Sequence, residues 1–351
     1  MVIPAFRRPS SPSWEALPQP SFQPAVALSV VLPAFNEAQG LETMIEEYLL
    51  PILKDLFCED IDIEEASTWS QVWEVILVDD GSRDPTYEVI SVLAERYSWI
   101  RGIRLSRNFG KEAAILAGLE ATRGKATLVM DSDGQHPPEV LQQMWSIWKT
   151  DQFDVISGVK KARDVDRAFS RVMAASFYRV MRWMTNIDLQ GQSDFKLMRH
   201  NVVRAYLEQP ENLRFFRALV PWLGFRQAEV PFVVAERLAG NSQWSLWGLF
   251  RLALTAITSF TGAPLYWAAY IGVFGIGISI ILGIQAIFSK LTGIAIDGWT
   301  SLTVIQLFFS SMILFSLGLI GIYLHQIFLE VKARRPFIIQ ERTSKKSENK
   351  V

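Results

Sequence analysis

Two long stretches without a charged residue, 252–289 and 298–329, constrain this chain more than any other feature. Within them, residues 265–288 and 302–328 are each long enough, as helices rising about 1.5 Å per residue, to cross a hydrocarbon core of roughly 30 Å. Two buried core helices would be the soluble alternative. Uninterrupted apolarity with Tyr266, Trp267 and Tyr323 toward the ends favours spanning. We therefore expect transmembrane helices at 264–289 and 301–328. Two crossings leave the preceding domain and the tail at 329–351 on one side. The tail carries Lys332, Arg334, Arg335, Lys345, Lys346 and Lys350, while the connecting loop holds only Lys290 and Asp297. The positive-inside rule then predicts an integral protein of the inner or plasma membrane, with the preceding domain and both termini cytoplasmic.

The remainder reads differently. Residues 1–26, rich in Pro and Ser, lack the apolar core of a signal peptide and are expected to be a disordered tail. Across 27–240, short β-branched runs at 27–32, 74–78, 100–105 and 126–130 alternate with helical patterns from about 40, at 86–97 and at 111–122. That alternation predicts an α/β domain with a parallel sheet between helices. An acidic stretch at 59–65 resembles a solvated insertion. Two segments suit the membrane surface: 168–184, with Arg171, Arg179 and Arg182 among aromatics, and a helix within 241–263.

Composition removes several functions. A formal net charge of −1 argues against nucleic-acid binding. One cysteine and three scattered histidines exclude a cysteine or histidine metal cluster, so any metal must be a hard cation held by oxygen. No GxGxxG or Walker A sequence follows a strand, which disfavours dehydrogenases and P-loop enzymes.

The polar chemistry gathers after the strands, where open α/β sheets bind ligands. Asn36-Glu37, Asp79-Asp80 and the run from Asp131 to Gln135 all fall there. Asp131 and Asp133, one residue apart on a turn, can both reach one Mg²⁺ or Mn²⁺ that keeps positions for substrate phosphates. His136 precedes two prolines and reads as a positioning residue.

Four motifs in order make this pattern specific: PAFNE from Pro33, VDDGSRDPT from Val78, LSRNFGKEAAILAGL from Leu105 and MDSDGQHPPE from Met130. Together they resemble the family 2 glycosyltransferases of the GT-A fold, and among them the dolichyl-phosphate mannose synthase and bactoprenol glucosyltransferase branch. The resemblance covers about 28–332. It implies that Pro33, Phe35 and Glu37 line a nucleotide-sugar pocket, with Asp79 or Asp80 on the base or ribose and Lys111 near the donor. It implies metal binding by Asp131 and Asp133 with Gln135 beside them, and closure of Arg237 and Ser242 over the donor diphosphate. For the lipid phosphate it points to Lys160, Lys161 or Arg163, and then to Arg167, Ser170 and Arg171. Asp194 falls where many members place a catalytic base. A phosphate acceptor with a second pKa near 6 needs little deprotonation, so Asp194 orients the acceptor or sugar in the alternative reading.

The implied activity is metal-dependent, inverting transfer of a hexose to a polyprenyl (undecaprenyl or dolichyl) phosphate, with UDP-glucose favoured as donor and GDP-mannose behind it. A processive polysaccharide synthase is disfavoured because Gln243-Trp244 lacks the arginine of a Q-x-x-R-W motif. A non-enzymatic sensor or a translocase component is disfavoured by the intact acidic set. Gly272, Gly275, Gly277 and Gly283 permit close helix contact, so a homo-oligomer is compatible with the sequence.

Overall fold

The computed structural model describes residues 25–57, 72–160, 191–211, 214–233, 263–292 and 299–343. The expected tail at the N-terminus, the acidic insertion and both interfacial helices lie almost wholly outside them. Eight strands form one sheet: β1 (Val26–Ala34), β2 (Trp73–Asp79), β3 (Ile100–Leu105), β4 (Gly124–Val129), β5 (Val155–Lys160), β6 (Gln192–Arg199), β7 (Gln227–Phe232) and β8 (Ile339–Arg342). Their order across the sheet is β7-β5-β6-β4-β1-β2-β3-β8.

The expectation of a parallel sheet holds for β1, β2, β3 and β4, whose mutual pairings are all parallel. It fails at β6 and β8. β6 runs antiparallel to both β4 and β5, and β8 runs antiparallel to β3. The sheet is therefore mixed, with β5 and β7 again parallel to each other. β1 and β2 are central and buried along nearly their whole length, which fits their largely apolar sequences, broken only by the buried Ser29, Glu74 and Asp79. Pro33 is tolerated in central β1 because pairing with β4 stops at Val31–Val129, beyond which no ladder donor is needed.

Helix α1 occupies residues 41–57, with a π-helical turn at Met44–Leu49. It packs with α2 (Thr86–Arg96) and α4 (Pro138–Lys149) on one face of the sheet. The other face is covered by α3 (Lys111–Glu120), α5 (His200–Leu207) and α6 (Phe216–Trp222). At the end of the sheet remote from the pocket, Glu74 is buried and accepts from Ser29 Oγ (2.7 Å), Arg101 (2.9 Å) and the Arg123 side chain (2.8 Å). Burial opposes its ionisation, but those hydrogen bonds outweigh burial and hold the carboxyl below its usual range.

Two long helices follow, α7 (Ala263–Leu291) and α8 (Trp299–Val331). Among the described residues one stretch, Phe308–Val331, satisfies length and hydropathy for a membrane crossing, and none of it is buried. On α8 the less exposed residues Phe309, Met312, Ser316, Leu319, Tyr323 and Gln326 recur every three or four positions. Phe309 and Met312 of that stripe meet α7 at Gly275, where a Cβ would lie 3.0 Å from the Phe309 ring.

The segment after α8 departs from the expectation of a plain basic tail. Phe337 is buried in the core beside α3, and Ile339–Arg342 pairs along the free edge of β3. The pairing is extended by Ser106 N donating to Ile338 O (2.9 Å) and Thr343 N to Gly102 O (3.0 Å). The apolar Phe337-Ile338-Ile339 run, set among charges, is the strand signal within that tail.

Candidate active site

A pocket of about 280 Å³ opens where β1, β2 and β4 end. Pro33, Phe35, Glu37, Asp80, Lys111, Asp131 and Asp133 all line it, so most of the expected donor-side residues converge. The loops are laced together from both sides. Asn36, held at φ 56°, accepts from Arg83 N on its side-chain oxygen (2.9 Å), while its own amide donates to Ser82 Oγ (2.9 Å). Glu37 N donates to Thr86 Oγ1 (3.0 Å), and Ser132 Oγ donates to Pro33 O (3.1 Å). Gly81 is required here: at φ +65° it lies against the backbone of Arg107, 2.4 Å from where a Cβ would stand.

The two aspartates after β2 differ. Asp79 is fully buried, accepts from Ser82 N (2.9 Å) and faces Arg104 Nε at 3.4 Å. It does not line the pocket, whereas Asp80, the other of the two expected candidates, does. Asp80 accepts from Phe109 N and Gly110 N, both at 2.8 Å, and so pins the loop that launches α3. Burial raises its pKa despite those two bonds.

Lys111, the first residue of α3, is in ion-pair contact with Asp131 Oδ1 and with Asp194 Oδ2. Asp131 Oδ1 is buried and makes that ion pair without an aligned hydrogen bond. Asp133 accepts from Gln135 N (3.1 Å), which closes the turn, and Gln135 itself stays off the pocket lining. His136 is buried against Phe195 (ring centroids 4.4 Å apart) and Phe232 (5.5 Å). Burial lowers its pKa to about 4, so it is a neutral packing group beneath the turn.

Asp194, on β6, is buried and carries two cations. Arg217 Nε donates to Oδ1 (2.7 Å) and Arg217 Nη2 to Oδ2 (2.8 Å), while Lys111 holds Oδ2 at 2.5 Å. Burial opposes ionisation, but Lys111 and then Arg217 overcome it and keep the carboxyl far below the usual range. Arg217 was not singled out from sequence. Its signal is a lone guanidinium in the apolar run FFRALVPW. Glu112 was also missed; its carboxylate accepts from Phe216 N (2.9 Å) and seats the start of α6, which carries Arg217. Burial and the neighbouring Asp194 push the Glu112 pKa up.

Lys160 ends β5, and burial lowers its pKa, with Arg217 adding to the effect. Arg163, Arg167, Ser170, Arg171, Arg237 and Ser242 lie outside the described residues.

Residues 29–207 match the profile of Glycosyl transferase family 2. Over 318 residues the chain is 35% identical to the Bacillus subtilis protein "Uncharacterized glycosyltransferase YkcC", covering 90% of this chain and 94% of that one. It is 32% identical over 317 residues to the "Bactoprenol glucosyl transferase" of Shigella phage SfX, covering 90% and 99%. Among solved structures, the Mycobacterium tuberculosis glucosyl-3-phosphoglycerate synthase is 21% identical with a TM-score of 0.41, over 66% of this chain and 76% of that one, too distant to bear on the site.

Proposed function

We propose that this chain, a glycosyltransferase that belongs to glycosyl transferase family 2 and has its mixed α/β, GT-A-like fold, moves a hexose from a nucleotide sugar to a polyprenyl phosphate at the cytoplasmic membrane face. UDP-glucose is the favoured donor. The observation that carries this reading is the union, in one chain, of an acidic strand-end pocket with a pair of long apolar helices. A pocket of that kind suits a nucleotide sugar, and the helices suit a lipid acceptor. The bactoprenol glucosyl transferase likeness over nine-tenths of the chain supports the same acceptor class. Both α7 and α8 would cross the bilayer. β8 returns to the catalytic sheet directly after α8, which suits a hairpin whose two open ends lie on one side.

The donor set fits a hard cation. Asp131 offers a buried carboxylate whose Oδ1 is met, among the described residues, by the Lys111 ammonium alone, and Asp133 stands on the same turn with one residue between them. Among the described residues no group of three His, Cys, Asp or Glu could hold a metal, so an ion here would need substrate or water oxygens to complete its shell. Asp131 and Asp133 would hold Mg²⁺ or Mn²⁺, with Gln135 shaping the turn. When bound, such an ion neutralises charge on the departing nucleoside diphosphate.

Phe35, 40% exposed at the rim, offers an apolar face to the base. Lys111 stands where it can meet the donor phosphates. Arg237 and Ser242 would close over them. Lys160, with Arg163, Arg167, Ser170 and Arg171, would receive the acceptor phosphate. A phosphate oxygen then attacks the anomeric carbon as its bond to the diphosphate breaks, inverting the centre. Asp194 remains ionised between Lys111 and Arg217 and makes a poor base, so it would orient these cations and the reactants. An acceptor already dianionic needs no base.

The test is transfer of labelled glucose from UDP-glucose to polyprenyl phosphate by purified protein with Mg²⁺ or Mn²⁺, with GDP-mannose run in parallel. Labelled lipid is expected. The absence of transfer from every nucleotide sugar tried would sink the proposal.

A further inference from the structure

We propose that Lys196, buried in the sheet beneath the pocket, is a positioning residue that sets the positive potential on the acceptor side and thereby the affinity for the acceptor's phosphate. This inference rests on the reading above.

Lys196 has no exposed surface, so it cannot touch a substrate. Its Nζ donates to Ser157 Oγ (2.9 Å) and to Gln192 Oε1 (2.8 Å), both neutral. Among the described residues no carboxylate is in ion-pair contact with it. Burying an ammonium whose direct partners are neutral is costly, and Asp194 and Glu229 nearby offset that cost only in part, since burial still lowers the pKa. Burial lowers its pKa to about 8, which still leaves it mostly protonated at neutral pH.

Its place in the sheet says what the charge faces. Lys196 pairs with Val129 of β4 on one side and Ser157 of β5 on the other. Asp194 lies two residues away on the same strand and therefore on the same face. Asp194 already holds Lys111 and Arg217. Lys196 is thus a third cation near one carboxylate, while Lys160 at the end of β5 neighbours Arg217, Asp131 and Asp133. Around Asp194 the cations Arg217, Lys196 and Lys111 outnumber the one carboxylate, although Lys111 is shared with Asp131. A phosphate dianion entering beside Lys160 would balance the excess. In that view Ser157 and Gln192 hold the ammonium in place, and the ammonium acts through the field at Lys160 and Arg217.

The test compares Lys196→Met, Lys196→Arg and Ser157→Ala in the full-length protein. It reads kcat, KM for polyprenyl phosphate, KM for the nucleotide sugar and thermal midpoint. Lys196→Met should raise the acceptor KM roughly tenfold, the scale of one charge acting at moderate distance, while leaving the donor KM within about twofold. Lys196→Arg should restore the acceptor KM. Ser157→Ala removes a hydrogen bond but keeps the charge, and should leave that KM near the wild-type value. If Lys196→Met does not fold, Lys196→Gln, which can still donate to Ser157, must show the same rise. An unmoved acceptor KM, an equal rise in both KM values, or a Ser157→Ala variant that reproduces the effect overturns the inference. Wild-type protein that transfers no sugar overturns the underlying reading, and this one with it.

Discussion

The two sides of the pocket reach their charge by different routes. On one side Asp80, Asp131 and Asp133 follow directly from the ends of parallel strands, and each strand-plus-turn is one short stretch of sequence. On the other, Lys111 lines the pocket and Lys160, Asp194, Lys196 and Arg217 lie off its lining; they come from α3, β5, β6 and α6, and their contacts between elements span 20 to 83 residues of sequence. The acidic side is a consequence of local geometry: a turn leaving the carboxyl end of a buried strand has nowhere to face but the crevice. The cationic side is a consequence of packing. Glu112 seats α6, α6 presents Arg217, and Arg217 holds Asp194. Such a chain is only as good as each link.

If that contrast is right, mutations on the two sides should fail differently. The largest effect is expected at Asp133→Ala, with loss of about 10³-fold or more in turnover from the missing electrostatic stabilisation, and an unchanged melting profile and membrane insertion. Normal turnover in that variant would remove Asp133 from the metal site.

Arg217→Leu should lower kcat/KM by about 10²-fold, since the buried carboxylate of Asp194 loses a bidentate partner. Its pKa should then climb toward the ordinary aspartate range. In the wild type the Asp194 carboxylate is depressed, so it stays ionised as pH falls well below that range. In the variant it takes up a proton at higher pH, and the acid limb of the rate profile should move upward. Arg217→Lys should recover only part of the loss, because an ammonium lacks the fork. A pH profile unmoved in both variants would show that Asp194 is not held by Arg217 in the working enzyme.

The smallest effect on turnover belongs to Glu74→Gln. This ionic network lies at the opposite ends of the strands and should cost about 2–3 kcal/mol of stability at neutral pH with kcat nearly unchanged. The sign follows from the lowered folded-state pKa. The wild-type advantage is complete above the unfolded glutamate value, near 4.3, and is lost as pH falls through the lower folded value. Denaturant melts of both proteins from neutral to acid pH measure it. A gap that widens on acidification would refute the assignment.

Much of the fold was legible because its strongest signals are local. The four parallel strands and the three helices between them stand within a few residues of where hydrophobic pattern and turn residues put them. Asp80, Asp131 and Asp133 were legible for the same reason. Asp79 was not separable from Asp80 by sequence, since adjacent residues at a strand end face opposite ways and only the turn decides which one enters the pocket. β6 was missed because Asp194 and Lys196 break its apolar run, and these charges are the ones that the tertiary structure buries. β8 was missed because four residues after a long apolar helix resemble a tail until β3 offers them an unpaired edge.

By itself, then, the sequence determined the class of domain, the acidic strand-end turns and the two apolar stretches, all set by periodicity and composition over short windows. Only the tertiary structure decided which charges oppose one another. Arg217 meets Asp194 and Lys196 lies beneath them because helix α6 and strands β5 and β6 pack together, and the contacts of buried charges depend on that packing rather than on neighbours in the chain.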